Sequence, residues 1–228
     1  MDMNKWIEDV LAAEKKKALP VLSFPAVQKM GITVKELIDS SDKQAEAMKI
    51  VADSVPAAAS VSFMDLSVEA EAFGSKTVVT DDEVPTVVGA VIDEDTDPDD
   101  IFVPEVGAGR TGLYIDAIRK VAPQITDRPI FAGVIGPFSL SGRLMDVNEI
   151  MILCYEEPEL VHAVLDKTTG FITEYAKAFK EAGANGVVMA EPLAGLLPPD
   201  LVAEFSTQYV KRIVDAIQDD EFIVVYHN

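Results

Sequence analysis

A glutamate follows a short apolar segment in the C-terminal half of the chain. Residues 186–190 (GVVMA) are too few for a helix and are flanked by turn residues, which is typical of a strand buried on both faces of a parallel sheet. Glu191 leaves this strand at its C-terminal end, where parallel α/β proteins place their chemistry. Glu191 is therefore predicted to be a catalytic carboxylate; the alternative is a loop residue that caps the following segment.

Other predicted strands also end in residues that can bind or react with a substrate. They are Asp65 and Glu69 after residues 59–64, Gly136 and Pro137 after residues 129–134, and Tyr226 and His227 at the end of residues 222–226. The carboxyl ends of parallel strands lie at one edge of a sheet or one mouth of a barrel. We therefore expect these side chains to surround a common site.

Each assignment has a plainer alternative. Asp65 is predicted to be catalytic, but an aspartate at this place can also cap a helix. Glu69 is predicted to contact the substrate, or else to be an exposed helix residue. Gly136 and Pro137 are predicted to shape the floor of a substrate pocket, or else to form a strand-ending turn. Tyr226 is predicted to contact substrate if it faces the mouth, and the sequence equally allows it to face the sheet.

Five apolar segments are predicted to be strands that alternate with helices. They span residues 18–24, 59–64, 129–134, 186–190 and 222–226. This alternation implies parallel pairing through crossover connections. An eight-stranded barrel typically needs about 250 residues. The chain is therefore predicted to be α/β, with about the first five strands of a TIM (β/α)8-type barrel in one partial domain over residues 1–228. The alternative is an open five-stranded assembly.

Three segments depart from the strand–helix rhythm. Residues 74–92 read as two extended arms around a DDE turn and are predicted to form a β-hairpin insertion. Residues 93–100 are acidic, but they lack the glycine and glutamate that a calcium-binding EF-hand loop needs, so a solvated connection is expected. Residues 107–112 (GAGRTG) match a dinucleotide-binding pattern without the buried strand that should precede it. Arg110 in this segment is at most a weak anion contact.

Composition excludes several classes of function. The formal charge is −20 and the isoelectric point is near 4.3, whereas nucleic acids and anionic membranes need a cationic face. No apolar run approaches the ~18 residues of a membrane span, and no signal peptide is recognised. The one cysteine, Cys154, allows no disulfide within the chain, so a cytoplasmic location is expected.

Several segments together resemble the uroporphyrinogen decarboxylase superfamily. They are residues 63–79 (FMDLSVEAEAFGSKTVV), 131–140 (FAGVIGPFSL), 183–217 (GANGVVMAEPLAGLLPPDLVAEFSTQYVKRIVDAI) and 224–228 (VVYHN). The resemblance runs in order along nearly the whole chain. It is closest to the corrinoid-dependent branch, the methylcobamide:coenzyme M methyltransferases. The decarboxylases carry an arginine-rich N-terminal signature for their polycarboxylate substrate, whereas residues 1–40 here contain no arginine.

The resemblance implies a methyltransferase that moves a methyl group from a corrinoid to a zinc-bound thiol. Methylcobalamin on a partner corrinoid protein is the implied donor, and a small thiol is the acceptor. The methyltransferase members of this family hold Zn²⁺ through a His-x-Cys pair and a later cysteine, and His227 matches the histidine. Position 229, which would carry the first cysteine, lies beyond this chain, and Cys154 falls in a predicted helix. The implied zinc site is therefore incomplete here, although metal coordination is what would deprotonate a thiol at neutral pH.

Two alternative functions remain beside methyl transfer. One is decarboxylation of a porphyrinogen in heme biosynthesis, which would require a cluster of arginines in the cleft. The other is a catalytically incomplete barrel fragment, with a missing C-terminal part or with self-association that covers open strand edges.

Overall fold

The computed structural model describes residues 1–21 and 24–228. Its helices are α1 (Met3–Ala12), α2 (Phe24–Met30), α3 (Val34–Ile38), α4 (Ser41–Ser54), α5 (Val68–Ala72), α6 (Thr111–Val121), α7 (Pro137–Met145), α8 (Val147–Glu156), α9 (Pro158–Glu181), α10 (Pro199–Val202) and α11 (Gln208–Ile217). Its strands are β1 (Ser60–Val61), β2 (Lys76–Val78), β3 (Thr86–Val88), β4 (Ile130–Ile135), β5 (Gly186–Ala190) and β6 (Ile223–His227). None of these helices combines the length and hydropathy needed to cross a membrane.

A parallel sheet in the order β1-β4-β5-β6 carries the fold. Ile135, Ala190 and His227 stand in register at the C-terminal ends of their strands. Helices connect successive strands of this sheet, as the sequence predicts for an α/β protein. The C-terminal strand ends therefore lie together at one edge of the sheet, which we call the mouth.

The sheet has four strands within the described residues, whereas the sequence predicts five. Residues 18–21 form no strand, Leu22 and Ser23 lie outside the described residues, and α2 already begins at Phe24. Ala18 accepts one hydrogen bond from the amide of Ala58 at 2.8 Å. Pro20 has no amide hydrogen to give, so a continuous ladder cannot form. The apolar side chains of this segment serve in packing instead, because Leu19 and Val21 lie against one face of the sheet.

The two faces of the sheet are covered by different elements. On the inner face, Val61, Phe131, Val188 and Ile223 pack with Met3 and the partly buried Trp6 of α1. Trp6 meets the ring of Phe131 edge-on at 5.7 Å. The outer face carries the main core, built from the apolar stripes of α4, α6, α7, α9 and α11. A cavity of about 490 Å³ lies beside α1 and the residues that precede β1 and β4, at the end opposite the mouth.

The segment between α5 and α6 leaves the sheet. β2 and β3 pair antiparallel as a separate hairpin, where the sequence predicts one. The acidic loop that follows is exposed apart from the half-buried Thr96, in keeping with a solvated connection. The GAGRTG segment forms turns and leads directly into α6 without a preceding strand, which removes the structural context of a dinucleotide site.

Candidate functional site

Glu191 lies just beyond the end of β5 and is completely buried. Its carboxylate Oε2 accepts a hydrogen bond from the amide of Phe138 at 3.1 Å, and Oε1 accepts one from the amide of Ser139 at 2.5 Å. These amides belong to the first turn of α7, whose N–H groups have no partner within the helix. Glu191 therefore caps a helix, but that helix is α7 from the preceding strand–helix unit and not the segment that follows Glu191.

The close approach of Glu191 to α7 depends on glycine at position 136. A Cβ at Gly136 would lie 2.2 Å from Glu191 Oε2, well inside van der Waals contact. The amide of Gly136 donates to the carbonyl of Ala190 at 2.7 Å. The Gly136-Pro137 pair therefore does form the turn that ends β4. It also leaves space for a carboxylate against the backbone.

Burial controls the acidity of Glu191. Burial raises the pKa of this carboxyl to about 7, although the Ser139 side chain and the two amide donors favour the charged form. A carboxyl with this pKa is present in both protonation states near neutral pH. That property suits a general acid or base, and it is also a common result of burying a carboxyl for structural reasons.

His227 and Tyr226 end β6 on opposite faces of the sheet. Ile223 and Val225 pack in the inner cluster, and side chains alternate along a strand, so His227 points to the inner face. Its side chain is exposed. Tyr226 lies on the outer face, which is the face of Glu191, and is 42% exposed. Burial and the charge of Glu191 raise the pKa of Tyr226.

Glu191 and His227 are therefore neighbours in the ladder but do not converge. The amide of Glu191 donates to the carbonyl of His227 at 2.8 Å, while their side chains leave on different faces. The Glu191 carboxylate is directed under α7, and the His227 ring is directed toward the inner face at the mouth. The sequence correctly places both residues at strand ends, but the carboxylate and the imidazole do not form one cluster.

Asp65 is buried in a network of polar side chains behind the end of β1. Its Oδ2 accepts from Arg110 Nη1 at 2.6 Å and from the Tyr114 hydroxyl at 3.1 Å. Its Oδ1 accepts from the amide of Ser67 at 3.0 Å and from the Ser67 hydroxyl at 2.6 Å. Arg110 also binds Glu71 Oε2 through Nη2 at 2.5 Å. Both carboxylate oxygens of Asp65 are thus occupied, and its side chain has no exposed surface.

Glu69 lies next to this network on α5. Its Oε1 accepts from the amide of Ile135 at the end of β4 at 3.0 Å. Its Oε2 is buried and has no hydrogen-bond partner among the described residues. Burial raises the pKa of Glu69 to about 7; the Ile135 amide opposes this shift, Asp65 adds to it, and Arg110 opposes it. Glu69 is thus not the exposed helix residue that the sequence allows as an alternative.

The described residues do not complete a zinc site. Structural zinc takes four N or S ligands, and catalytic zinc takes three protein ligands. Within the described part of the chain, no group of three His, Cys, Asp or Glu side chains is placed to hold a metal ion. Cys154 is buried in α8, outside the sheet, and burial raises the pKa of its thiol to about 12. His227 is therefore a potential zinc ligand without partner ligands among the residues that the structure describes.

Arg110 and Ser139 take part in the site in roles that the sequence did not predict. The glycines of the GAGRTG segment match a dinucleotide-binding pattern, but the residue of this segment that contacts the site is Arg110, which binds Asp65. Ser139 accepts the amide of Leu193 at 3.1 Å through its hydroxyl, and so joins α7 to the loop after β5. A signal was present for Arg110, because a buried aspartate after a strand needs a cationic or hydroxyl partner. No comparable signal marks Ser139.

The chain is similar to known proteins over most of its length. The family model described as "Uroporphyrinogen decarboxylase (URO-D)" matches residues 7–228. A methylcobamide:CoM methyltransferase MtbA of Methanosarcina acetivorans is 30% identical over 167 residues, which are 72% of this chain and 49% of that protein. A uroporphyrinogen decarboxylase of Paraburkholderia phytofirmans is 28% identical over 181 residues, which are 74% of this chain and 49% of that protein.

A solved structure has the same fold. A methyltransferase from Methanosarcina mazei superposes with a TM-score of 0.86 at 22% identity, covering 100% of this chain and 69% of that chain. The α/β architecture with its parallel sheet therefore matches that protein. The chain spans about half the length of the curated relatives that it matches.

Proposed function

The chain belongs to the uroporphyrinogen decarboxylase (URO-D) family, whose members are methyltransferases or decarboxylases, and on this premise we propose that it functions in methyl transfer from a corrinoid to a thiol. The proposed donor is methylcobalamin on a partner corrinoid protein, and the proposed acceptor is a small thiol. The proposed location is the cytoplasm, in keeping with the single unpaired cysteine.

The observation that carries this proposal is that Arg110 is already engaged in two ion pairs within the chain. A porphyrinogen bears many carboxylates, and a site that binds it needs arginines that are free to pair with them. Arg110, the arginine that adjoins the predicted site residues, already binds Asp65 and Glu71. The predicted site residues around it are acidic, and the chain carries a charge of −20. This electrostatic setting favours a small thiol over a polycarboxylate.

In this proposal His227 contributes one ligand for Zn²⁺ at the mouth. Zinc, when bound, would supply the charge that keeps a thiol ionised at neutral pH. The described residues do not supply the other ligands, so we assign no catalytic step to the metal. The proposed role of His227 is to present an exposed imidazole at the inner face of the mouth, while Glu191 and Asp65 act on the backbone and on Arg110.

Decarboxylation remains the second candidate, because the Paraburkholderia relative covers as much of the chain as the methyltransferase does. In that function, Asp65 would need to release Arg110 or Tyr114 before it could reach a substrate. A third possibility is a chain that is catalytically incomplete without further residues.

Thiol-dependent loss of methylcobalamin absorbance tests the proposal. The assay supplies Zn²⁺ and 2-mercaptoethanesulfonate and compares the unmodified protein with His227→Ala and with His162→Ala. His162 is the matched control, because it is bonded to Tyr209 among the outer helices. The measurement uses a longer chain that includes the cysteine ligands implied by the family resemblance, and there we expect turnover and bound zinc to fall roughly 100-fold in His227→Ala only.

Measurements on the same samples distinguish the three candidate functions. Equal zinc content in His227→Ala and the unmodified protein would show that His227 is not a ligand. Loss of carboxylates from uroporphyrinogen without methyl transfer would assign the chain to the decarboxylases. Absence of both reactions would support the catalytically incomplete form.

A further inference from the structure

We propose that Glu69 and Glu191 are positioning residues that hold the junction between β4 and α7 from two sides and so set the shape of the mouth. The junction comprises residues 135–139 (IGPFS). It contains Gly136 and Pro137, whose role beside the substrate rests on the proposed function. The holding role itself rests only on contacts within the chain.

The N–H groups of the junction show how it is held. The amide of Ile135 donates to Glu69, and the amides of Phe138 and Ser139 donate to Glu191. Gly136 donates to a backbone carbonyl of β5, and Pro137 has no N–H to donate. Two carboxyl side chains therefore accept three of the four available donors. The path of the backbone from sheet to helix depends on these side chains more than on the regular ladder.

Glu69 acts where β1 has left the sheet. β1 pairs with β4 only over Ser60 and Val61. Beyond that point, the next free amide of β4, at Gly133, donates to the Ser62 hydroxyl at 2.9 Å, and the one after it, at Ile135, donates to Glu69. Side chains thus continue the ladder after the strand has ended. Glu69 is the last of these contacts and the one nearest the mouth.

Glu191 acts from the other side, through β5. It uses both carboxylate oxygens on α7 and is buried against Gly136. Glu69 Oε1 accepts from the amide of Ile135, and its Oε2 is buried without a hydrogen-bond partner in the part of the chain that the structure describes. The two residues therefore differ in how many acceptors they must provide. This difference yields a test, because glutamine offers one acceptor oxygen and one donor group.

Hydrogen exchange at single amides is the first experiment, using the full chain. Glu69→Gln keeps an acceptor for Ile135 and should leave its protection within a few-fold of the unmodified protein. Glu69→Leu removes the acceptor, so the Ile135 amide should exchange at least 100-fold faster. Glu191→Gln must turn an NH₂ group toward either Phe138 or Ser139, and one of these two amides should lose protection to a similar extent. Glu71→Gln is the control on α5, because Glu71 binds Arg110 and not the junction.

The pH profile is the second experiment, and it concerns Glu69 alone. The charged and titratable groups that influence its carboxyl are Asp65 behind β1, Arg110 before α6 and Tyr175 on α9. Because burial raises the pKa of Glu69 from 4.5 to about 7, its contribution to stability is fully present below pH 4.5 and is lost as pH rises through 7. Glutamine does not titrate. The folding equilibrium of Glu69→Gln relative to the unmodified protein should therefore improve on the order of 100-fold between pH 4.5 and 8.

Any one of three results would overturn the proposal. They are unchanged Ile135 exchange in Glu69→Leu, full protection of both α7 amides in Glu191→Gln, and a pH-independent difference between Glu69→Gln and the unmodified protein. Glu46→Gln, an exposed carboxyl on α4, provides the flat baseline for the pH series. These measurements need no catalytic turnover. Failure of methyl transfer would therefore leave the holding role standing, and failure of the holding role would leave methyl transfer untouched.

Discussion

Position 136 has no space for a side chain larger than the hydrogen atom of glycine. A methyl group in Gly136→Ala would lie 2.2 Å from Glu191 Oε2. Glu191 is fully buried and bound to two amides, so it cannot move aside without losing them. We expect Gly136→Ala to lower the free energy of unfolding by about 2–4 kcal/mol, as for an overpacked core that also loses a helix cap. Urea denaturation measures this change.

Gly170 provides the matched control for this substitution. It lies inside α9, and a Cβ there would meet nothing within 4 Å. Alanine favours a helix over glycine by about 0.5–1 kcal/mol, so Gly170→Ala should stabilise the protein. Equal effects of the two substitutions would contradict the crowding at Gly136.

At the scale of elements, one buried ion pair joins the loop after β1 to α6. Arg110 is 9% exposed and Asp65 is 5% exposed. Removing one member of a buried pair leaves the other charge without compensation. Arg110→Met should therefore lower the free energy of unfolding by about 3–5 kcal/mol in urea titrations.

A surface arginine on α6 tests whether burial is the cause of this loss of stability. Arg119 pairs with Asp116, and the two side chains are 58% and 50% exposed. Pairs of this kind contribute about 0–1 kcal/mol, so Arg119→Met should have little effect. A loss from Arg119→Met as large as that from Arg110→Met would show that the buried network is not special.

Elements with a strong local pattern could be predicted from the sequence. β4, β5 and β6 lie within one residue of their predicted bounds, because apolar runs between turn residues have few other solutions. β1 is shorter than predicted, and beyond Val61 two amides of β4 donate to the side chains of Ser62 and Glu69. No local pattern reveals such a replacement. Residues 18–21 are predicted to belong to a strand but form none. An apolar segment that packs on the face of a sheet has the same composition as one that pairs within it.

The candidate site, too, could be predicted only in part: the positions of its residues at strand ends could be predicted, but their side-chain partners could not. The sequence places Glu191 and His227 at strand ends, because position along the chain decides this. It cannot show that the Glu191 carboxylate binds α7 or that Arg110 binds Asp65, since these partners are 52 and 45 residues apart. Side-chain direction and pairing over such separations are set by packing of the whole fold.

At the scale of the whole molecule, the described sheet has two open edges, β1 and β6. Strand edges with free backbone groups pair readily with other strands. On β6, Val224 and Val225 are half-buried and Tyr226 is 42% exposed. We expect the 228-residue chain to self-associate with rising concentration, as measured by sedimentation equilibrium.

A charge on this edge should weaken the association. Tyr226→Lys places an ammonium group on β6, and lysine is a common means of blocking an edge strand. Tyr155→Lys is the control, because Tyr155 is 68% exposed on α8, outside the sheet. A monomer at all concentrations, or equal weakening by both substitutions, would exclude β6 as the contact.

The contacts between β1 and β4 have a consequence for how this protein can change by mutation. A ladder of peptide groups is common to all sequences, and proline is the substitution that removes one of its donors. Near the mouth, two amides of β4 donate instead to a serine hydroxyl and a glutamate carboxylate. Single-codon changes at positions 62 and 69 can therefore lengthen, shorten or remove these contacts without redesigning a strand. If these contacts set the shape of the mouth, as we propose, that shape depends on two positions that mutation can change.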